Sequence, residues 1–205
     1  SCCIGKSLIS SVHNGISMPL INFDYNDLSS LLGEEVPKET LVERIPMIGA
    51  DMHDTEGNSD EMSVEFFPNR PDMYCVEGIA RSMRAFLGTE PGMKEYDVEE
   101  TDIRVITDPS VATVRPYILC AAVFDMNIDD HFIKSLMELQ EKLHMTIGRK
   151  RSKLAIGVHD LDRVTPPFEY RAVRPGDLRF VPLASDEEMD LSEILIRHEK
   201  GRAYA

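Results

Sequence analysis

The sequence predicts an α+β protein: a small N-terminal helix and strand module followed by a partial module built on mixed sheets. Three observations carry that prediction. Residues 72–88 and 129–148 place apolar side chains at helical spacing. Runs such as "DIRVIT" (102–107) and "YILCAAVFDM" (117–126) are short, apolar and strand-like. Between the two kinds of segment, "TEPGMKEYDVEET" at 89–101 is polar and acidic, carries Pro and Gly, and is the expected linker. The expected organisation is thus an N-terminal module at 18–88, the linker at 89–101, and a second module at 102–205. Residues 1–17 are expected to be an unstructured upstream extension, since the sequence opens without methionine and "MPLINFDYNDL" from Met18 reads as a natural start.

In chain order, "DYNDLSSLLG" offers Asp and Asn caps, Leu28, Leu31 and Leu32 at helical spacing, and Gly33 as a stop, so a short helix is expected there. "VPKETLVERIPMIG" repeats the scheme with Pro37 in the first turn and Leu41, Val42 and Ile45 along one side. "ADMHDTEGNSDEMSVEFF" reads as two strands around a Gly57–Asp60 turn. The next helix is expected to be capped by Asp72, striped by Met73, Val76, Ile79, Ala80, Met83 and Leu87, and ended by Gly88. Past the linker, "DDHFIKSLMELQEKLHMTIG" predicts an amphipathic helix with Ile133, Leu136, Met137, Leu143 and Ile147 inward and Gly148 closing it. "KLAIGVHDL", "FEYRAV" and "LRFVPL" predict strands, and "DLSEILIRHEKG" a short final helix opened by a capping-box pattern.

Composition narrows the function. The formal charge of −14 gives a field that repels phosphate at long range, so any nucleic-acid contact has to be local. No apolar run reaches the length of a membrane span, and the opening lacks the apolar segment of a secretory signal, so a cytoplasmic location with no membrane partner is the expectation. Of the four cysteines, Cys2 and Cys3 are adjacent, while Cys75 and Cys120 sit in apolar segments and are expected to be small buried hydrophobes. No metal-ligand spacing and no G-x-x-x-x-G-K, H-E-x-x-H or G-x-S-x-G motif occurs, and no catalytic residue is assigned.

Within the acidic chain, "RKRSKLAIGVHDLD" (149–162) stands out. Arg149, Lys150, Arg151 and Lys153 follow a helix, where cations interact favourably with the negative end of its dipole. The same compact cluster is also where a polyanion can land, and both readings stand. In the strand expected next, alternation sends Leu154, Ile156 and Val158 to one face and Ala155, Gly157 and His159 to the other. The second face is nearly bare until the imidazole, which leaves room for a packed element or a cleft floor. His159, Asp160 and Asp162 suit acid/base or hydrogen-bonding work, or simply the turn chemistry of a strand end. Upstream, "FFPNRPD" joins a strand to a helix, and Asn69, Arg70 and Asp72 are expected to hold that corner through backbone hydrogen bonds and an Arg–carboxylate pair.

Taken together, "VEFFPNRPDMYCVEGIARSMRAFLG", "VRPYILCAAV", "LQEKLHMTIGRKRSKLAIGVHDLD" and "PPFEYRAVRP" resemble the N-terminal part of the phenylalanyl-tRNA synthetase β subunit, archaeal and eukaryotic type. The resemblance runs from Met18 almost to Ala205. It implies an (αβ)2 assembly with an α subunit that carries the aminoacylation site, tRNA-Phe as substrate, and ATP and magnesium in the full enzyme, with no cofactor in this part. It further implies that 102–205 is the first part of the B3/B4 editing module, which hydrolyses tyrosine wrongly attached to tRNA-Phe. On that resemblance the chain reads as a fragment inactive by itself, and Arg149, Lys150, Arg151, Gly157, His159 and Asp160 are the candidate tRNA-contact or editing residues. Two other readings stay open: a free-standing tRNA-binding protein without catalysis, and an assembly domain that only contacts the α subunit.

Overall fold

The computed structural model describes residues 19–53 and 60–203, and these form helices and strands in two compact units. The extension expected at 1–17, with Cys2 and Cys3, and the Gly57–Ser59 part of the expected turn lie outside the described residues. The first unit takes its described residues from 19–93 and 130–149, the second from 94–129 and 150–203.

In the first unit, β1 (Leu20–Asp24), β2 (Ala50–His53) and β3 (Glu61–Phe66) make an antiparallel sheet with β3 in the centre. Register aligns Ile21 with Val64, Phe23 with Met62, Ala50 with Phe66 and Met52 with Val64, so one face carries a continuous apolar layer. The opposite face is polar, with Ser63 donating to Asn22 at 2.7 Å and His53 beside Glu65 at 3.1 Å.

Helices cover the apolar face. Helix α1 (Tyr25–Leu32) is capped by Asp24, whose carboxylate accepts from the Asn26 N–H at 2.7 Å, and it ends at Gly33 with φ +76°. Helix α2 (Lys38–Arg44) buries Leu41 and is followed by a 3-10 turn that buries Ile45, but Val42, expected on the same side, is exposed. Helix α3 (Val76–Leu87) buries Val76, Ile79, Ala80 and Met83 and ends at Gly88 with φ +89°. Arg84 reaches across from α3 and donates to the Leu31 carbonyl at 2.6 Å, satisfying one of the orphan acceptors at the end of α1. Asp72 does not cap α3 as expected: its carboxylate is taken by Arg70, Met73 sits in a separate 3-10 turn, and Cys75 occupies the cap position. Gly78 is demanded by close approach, because a Cβ there would meet the Asp72 carbonyl oxygen at 1.8 Å.

Helix α4 (Asp130–Met145) belongs to the first unit, although the sequence assigned it to the second module. Leu139 and Leu143 pack on the core, His131 contacts Asp27 at 3.0 Å, and Ser135 donates to Glu77 at 2.8 Å. The inward face is therefore rotated from the expected one: Ile133, Met137 and Ile147 are exposed, Met137 by 62%. Leu136 is half-buried and His144 is completely buried.

The second unit is strand-poor. Strands β4 (Val105–Thr107) and β5 (Phe168–Tyr170) pair in parallel, and β6 (Arg179–Phe180) and β7 (Met189–Asp190) antiparallel, so no described sheet mixes the two senses. Residues 117–126 form no strand: the run is exposed, Leu119 entirely, and a strand exists only where a neighbour takes up its N–H and C=O groups. The same holds for 154–160, where Val158 is 57% exposed instead of buried. Helix α5 (Leu191–Arg197) has the expected capping box, Asp190 with Glu193, and is followed by α6 (Glu199–Ala203). Leu195 is exposed on α5.

Since Phe66 is fully buried on the central strand, Phe66→Ala is expected to lower stability by about 3–5 kcal/mol in urea unfolding. Gly78→Ala is expected to destabilise as well, by forcing α3 away from the Asp72 carbonyl, and to shift the same urea midpoint downward.

Candidate functional site

The stretch at 149–162 has a backbone that its composition does not announce. Helix α4 ends at Met145, and the Gly148 N–H reaches back to the Leu143 carbonyl at 2.9 Å. The left-handed turn that usually falls on a terminal glycine falls instead on Arg149, Lys150 and Arg151, with φ of +47°, +55° and +65°. Each such residue with a Cβ costs about 1–2 kcal/mol relative to right-handed backbone. A cation already occupies the last turn of α4 itself, Lys142, so a favourable contact with the helix dipole there does not depend on Arg149–Lys153.

Within the second unit, Lys150 and Lys153 are exposed and Arg151 is half-buried. Arg115 places one guanidinium nitrogen, Nη2, at 3.1 Å from the Arg151 carbonyl and 3.2 Å from the Ser152 carbonyl. Its own carbonyl accepts from the Tyr170 hydroxyl at 2.8 Å. Sequence reading missed both residues, since Arg115 lies 36 positions from Arg151 and no local pattern links them.

Further along, Gly157 and His159 do lie together. A Cβ on Gly157 would stand 3.1 Å from His159 Nε2, so the imidazole occupies the space a larger residue would fill. Asp160 turns away to local work: it caps a 3-10 turn at Leu161–Arg163, accepting from the Asp162 N–H at 3.1 Å, with Arg163 at 3.7 Å. His159 and Asp160 are both exposed.

The corner residues belong to the first unit. Arg70 and Asp72 form a two-pronged pair, Nε to Oδ1 at 3.0 Å and Nη2 to Oδ2 at 2.9 Å, and Arg81 stands 3.7 Å from the same carboxylate. The Arg70 N–H donates to the Phe67 carbonyl, closing the turn that contains Asn69. The hydrogen bonds from Arg70 hold the Asp72 carboxyl below the usual carboxylate range. Nearby, burial pushes the Cys75 thiol up to about 11, whereas Cys120 is exposed, contrary to the expectation that both are buried. Among the described residues, no group of three His, Cys, Asp or Glu side chains is arranged to hold a metal ion, and no helix is long and apolar enough to cross a membrane.

No protein-family model matches the chain. Among curated proteins, it is 49% identical over 189 residues to the phenylalanine–tRNA ligase β subunit of Methanosphaera stadtmanae, covering 92% of this chain and 33% of that protein. It is 49% identical over 187 residues to the same subunit of Methanothrix thermoacetophila, covering 91% and 34%. The chain thus spans about one third of the length of these relatives. Among solved structures, an N-terminal fragment of the phenylalanyl-tRNA synthetase β subunit from Pyrococcus horikoshii superposes with a TM-score of 0.82 at 34% identity, covering 91% of this chain and 54% of that one.

Two outcomes are expected. Because the folded Asp72 carboxyl titrates below its unfolded value of about 3.9, its contribution to stability is complete above pH ~4 and is lost as pH falls through the depressed folded value. An NMR titration of the Asp72 side-chain carbon should move upward towards the ordinary value in Arg70→Ala. In maleimide labelling at neutral pH, Cys120 should react and Cys75 should not, read by mass of the labelled peptides.

Proposed function

The chain is a homologue of the N-terminal third of phenylalanine–tRNA ligase β subunits, and from that premise we propose that it serves as this region of a β subunit in an aminoacyl-tRNA synthetase. The parent reaction attaches phenylalanine to tRNA-Phe in the cytoplasm, with an α subunit as partner in an (αβ)2 assembly. ATP and magnesium supply adenylate chemistry at the α subunit's aminoacylation site. No step of this chain's residues runs through either group. The observation that supports the reading best is the 49% identity across 92% of the chain.

On this reading the second unit contributes to the editing module that removes tyrosine from tRNA-Phe, and residues 149–159 contribute to receiving the tRNA. Physical chemistry favours that assignment at one place. In a chain of net charge −14, the exposed cations after α4 are where phosphate repulsion is reversed locally. His159, exposed and free of a bulky neighbour at Gly157, can hydrogen-bond a substrate group or serve as an acid or base. Telling tyrosine from phenylalanine needs a partner for one hydroxyl, and a site built to bond it discriminates strongly.

The test uses the full-length β subunit with its α partner and follows hydrolysis of tyrosyl-tRNA-Phe. His159→Ala is expected to slow hydrolysis on the order of 100-fold while phenylalanylation is retained. Arg149→Ala/Arg151→Ala is expected to weaken tRNA binding and reduce its salt dependence. Wild-type hydrolysis and binding in both variants would confine the stretch to turn formation.

A further inference from the structure

We propose that Arg115 is a positioning residue for the basic loop Lys150–Lys153, holding its backbone so that the lysines meet the RNA phosphates. The proposal rests on the reading of that loop as a tRNA contact. Left-handed backbone at residues with a Cβ persists only where the surroundings over-determine it, and Lys150 and Arg151 both have it. Within the second unit, Arg115 contacts the loop's main chain, its Nη2 taking the carbonyls of Arg151 and Ser152 together. One nitrogen makes both contacts at the end of a long side chain, so what the loop's main chain receives is a charged donor held at a single point.

Arg115 is itself held from the other side. Its N–H donates to the Val111 carbonyl at 2.9 Å, Val111 is only 5% exposed, and Asp108 caps that turn by accepting from the Ser110 N–H at 2.8 Å. Tyr170, on β5, donates to the Arg115 carbonyl, and Ala172 just beyond β5 donates to the Ser110 hydroxyl at 3.1 Å. The paired strands β4 and β5 therefore anchor both the turn and the tyrosine. Charge points the same way. Arg115 bonds carbonyls, and among the described ion pairs none involves it, so its charge adds to that of the lysines. Two peptide oxygens, which repel phosphate, are also turned onto the guanidinium.

The experiment measures tRNA-Phe binding to the complete α–β assembly as a function of salt. Lys150→Ala/Lys153→Ala should flatten the log–log salt slope by about one to two units. Arg115→Ala should weaken binding roughly fivefold to twentyfold, the order of one or two lost charge-assisted contacts. In the lysine-pair background the same change should cost clearly less than in the wild-type assembly, since Arg151 and the charge of Arg115 itself are what then remain. A wild-type affinity in Arg115→Ala, or full additivity with the lysine pair, would each overturn the positioning role while leaving the loop reading intact. An unchanged slope in the lysine-pair variant would remove the loop reading and the proposal with it. If circular dichroism shows Arg115→Ala unfolded, Tyr170→Phe, which removes only the hydroxyl, is read instead. A loss of about twofold to threefold, smaller in the lysine-pair background, supports the proposal, and wild-type binding overturns it.

Discussion

One face of a three-stranded antiparallel sheet has to be kept from water, and most of the first unit follows from that constraint. Ile21, Phe23, Met52, Met62, Val64 and Phe66 share the face by register, and each fully buried large side chain among them contributes about 1.5–3 kcal/mol. Covering such a layer takes more than one helix. Helices α1 and α3 both bury residues in that core, and the cross-link from Arg84 to the end of α1 fixes how those two helices meet. The Arg70–Asp72 pair then sets the corner between β3 and α3, and Gly78 lets the corner's backbone come close. Each polar device here is spent on holding an apolar surface in place.

Where local chemistry decides, the sequence was readable. Asp24 and Gly33 bracket α1, Gly88 ends α3, and Asp190 with Glu193 opens α5, all as their residue types dictate. Where a distant partner decides, it was not. Residues 117–126 and 154–160 carry strand-like periods, yet a period says nothing about whether a second strand is present to hydrogen-bond. Helix α4 has apolar residues on more than one side. Contacts with Asp27 and Glu77, set by the tertiary fold, select the face that packs.

The candidate site divides along the same line. That the cations cluster could be read from spacing alone, and Gly157 does lie beside His159, although not on the strand that the alternation implied. The left-handed run over Arg149, Lys150 and Arg151 could not, because arginine and lysine have no preference for that backbone and it is imposed from outside. Its partner Arg115 lies 36 positions from Arg151, and Tyr170, which holds Arg115, lies 19 positions from it on the other side. Turns built by glycine are written locally, whereas a turn built by arginine is written wherever its support lies.

The first unit is discontinuous, and α4 returns to it only after the chain has passed through 94–129. During synthesis the sheet and its first three helices emerge before the helix that packs Leu139 and Leu143 against them. For that interval the nascent first unit waits with a bare apolar strip, while the intervening segment, apolar itself at 117–124, is already outside the ribosome. The order of translation therefore opposes the order of packing. A slow stretch of decoding placed far enough past residue 149 for α4 to have cleared the ribosome would let it dock on the waiting strip before the rest of the second unit is made.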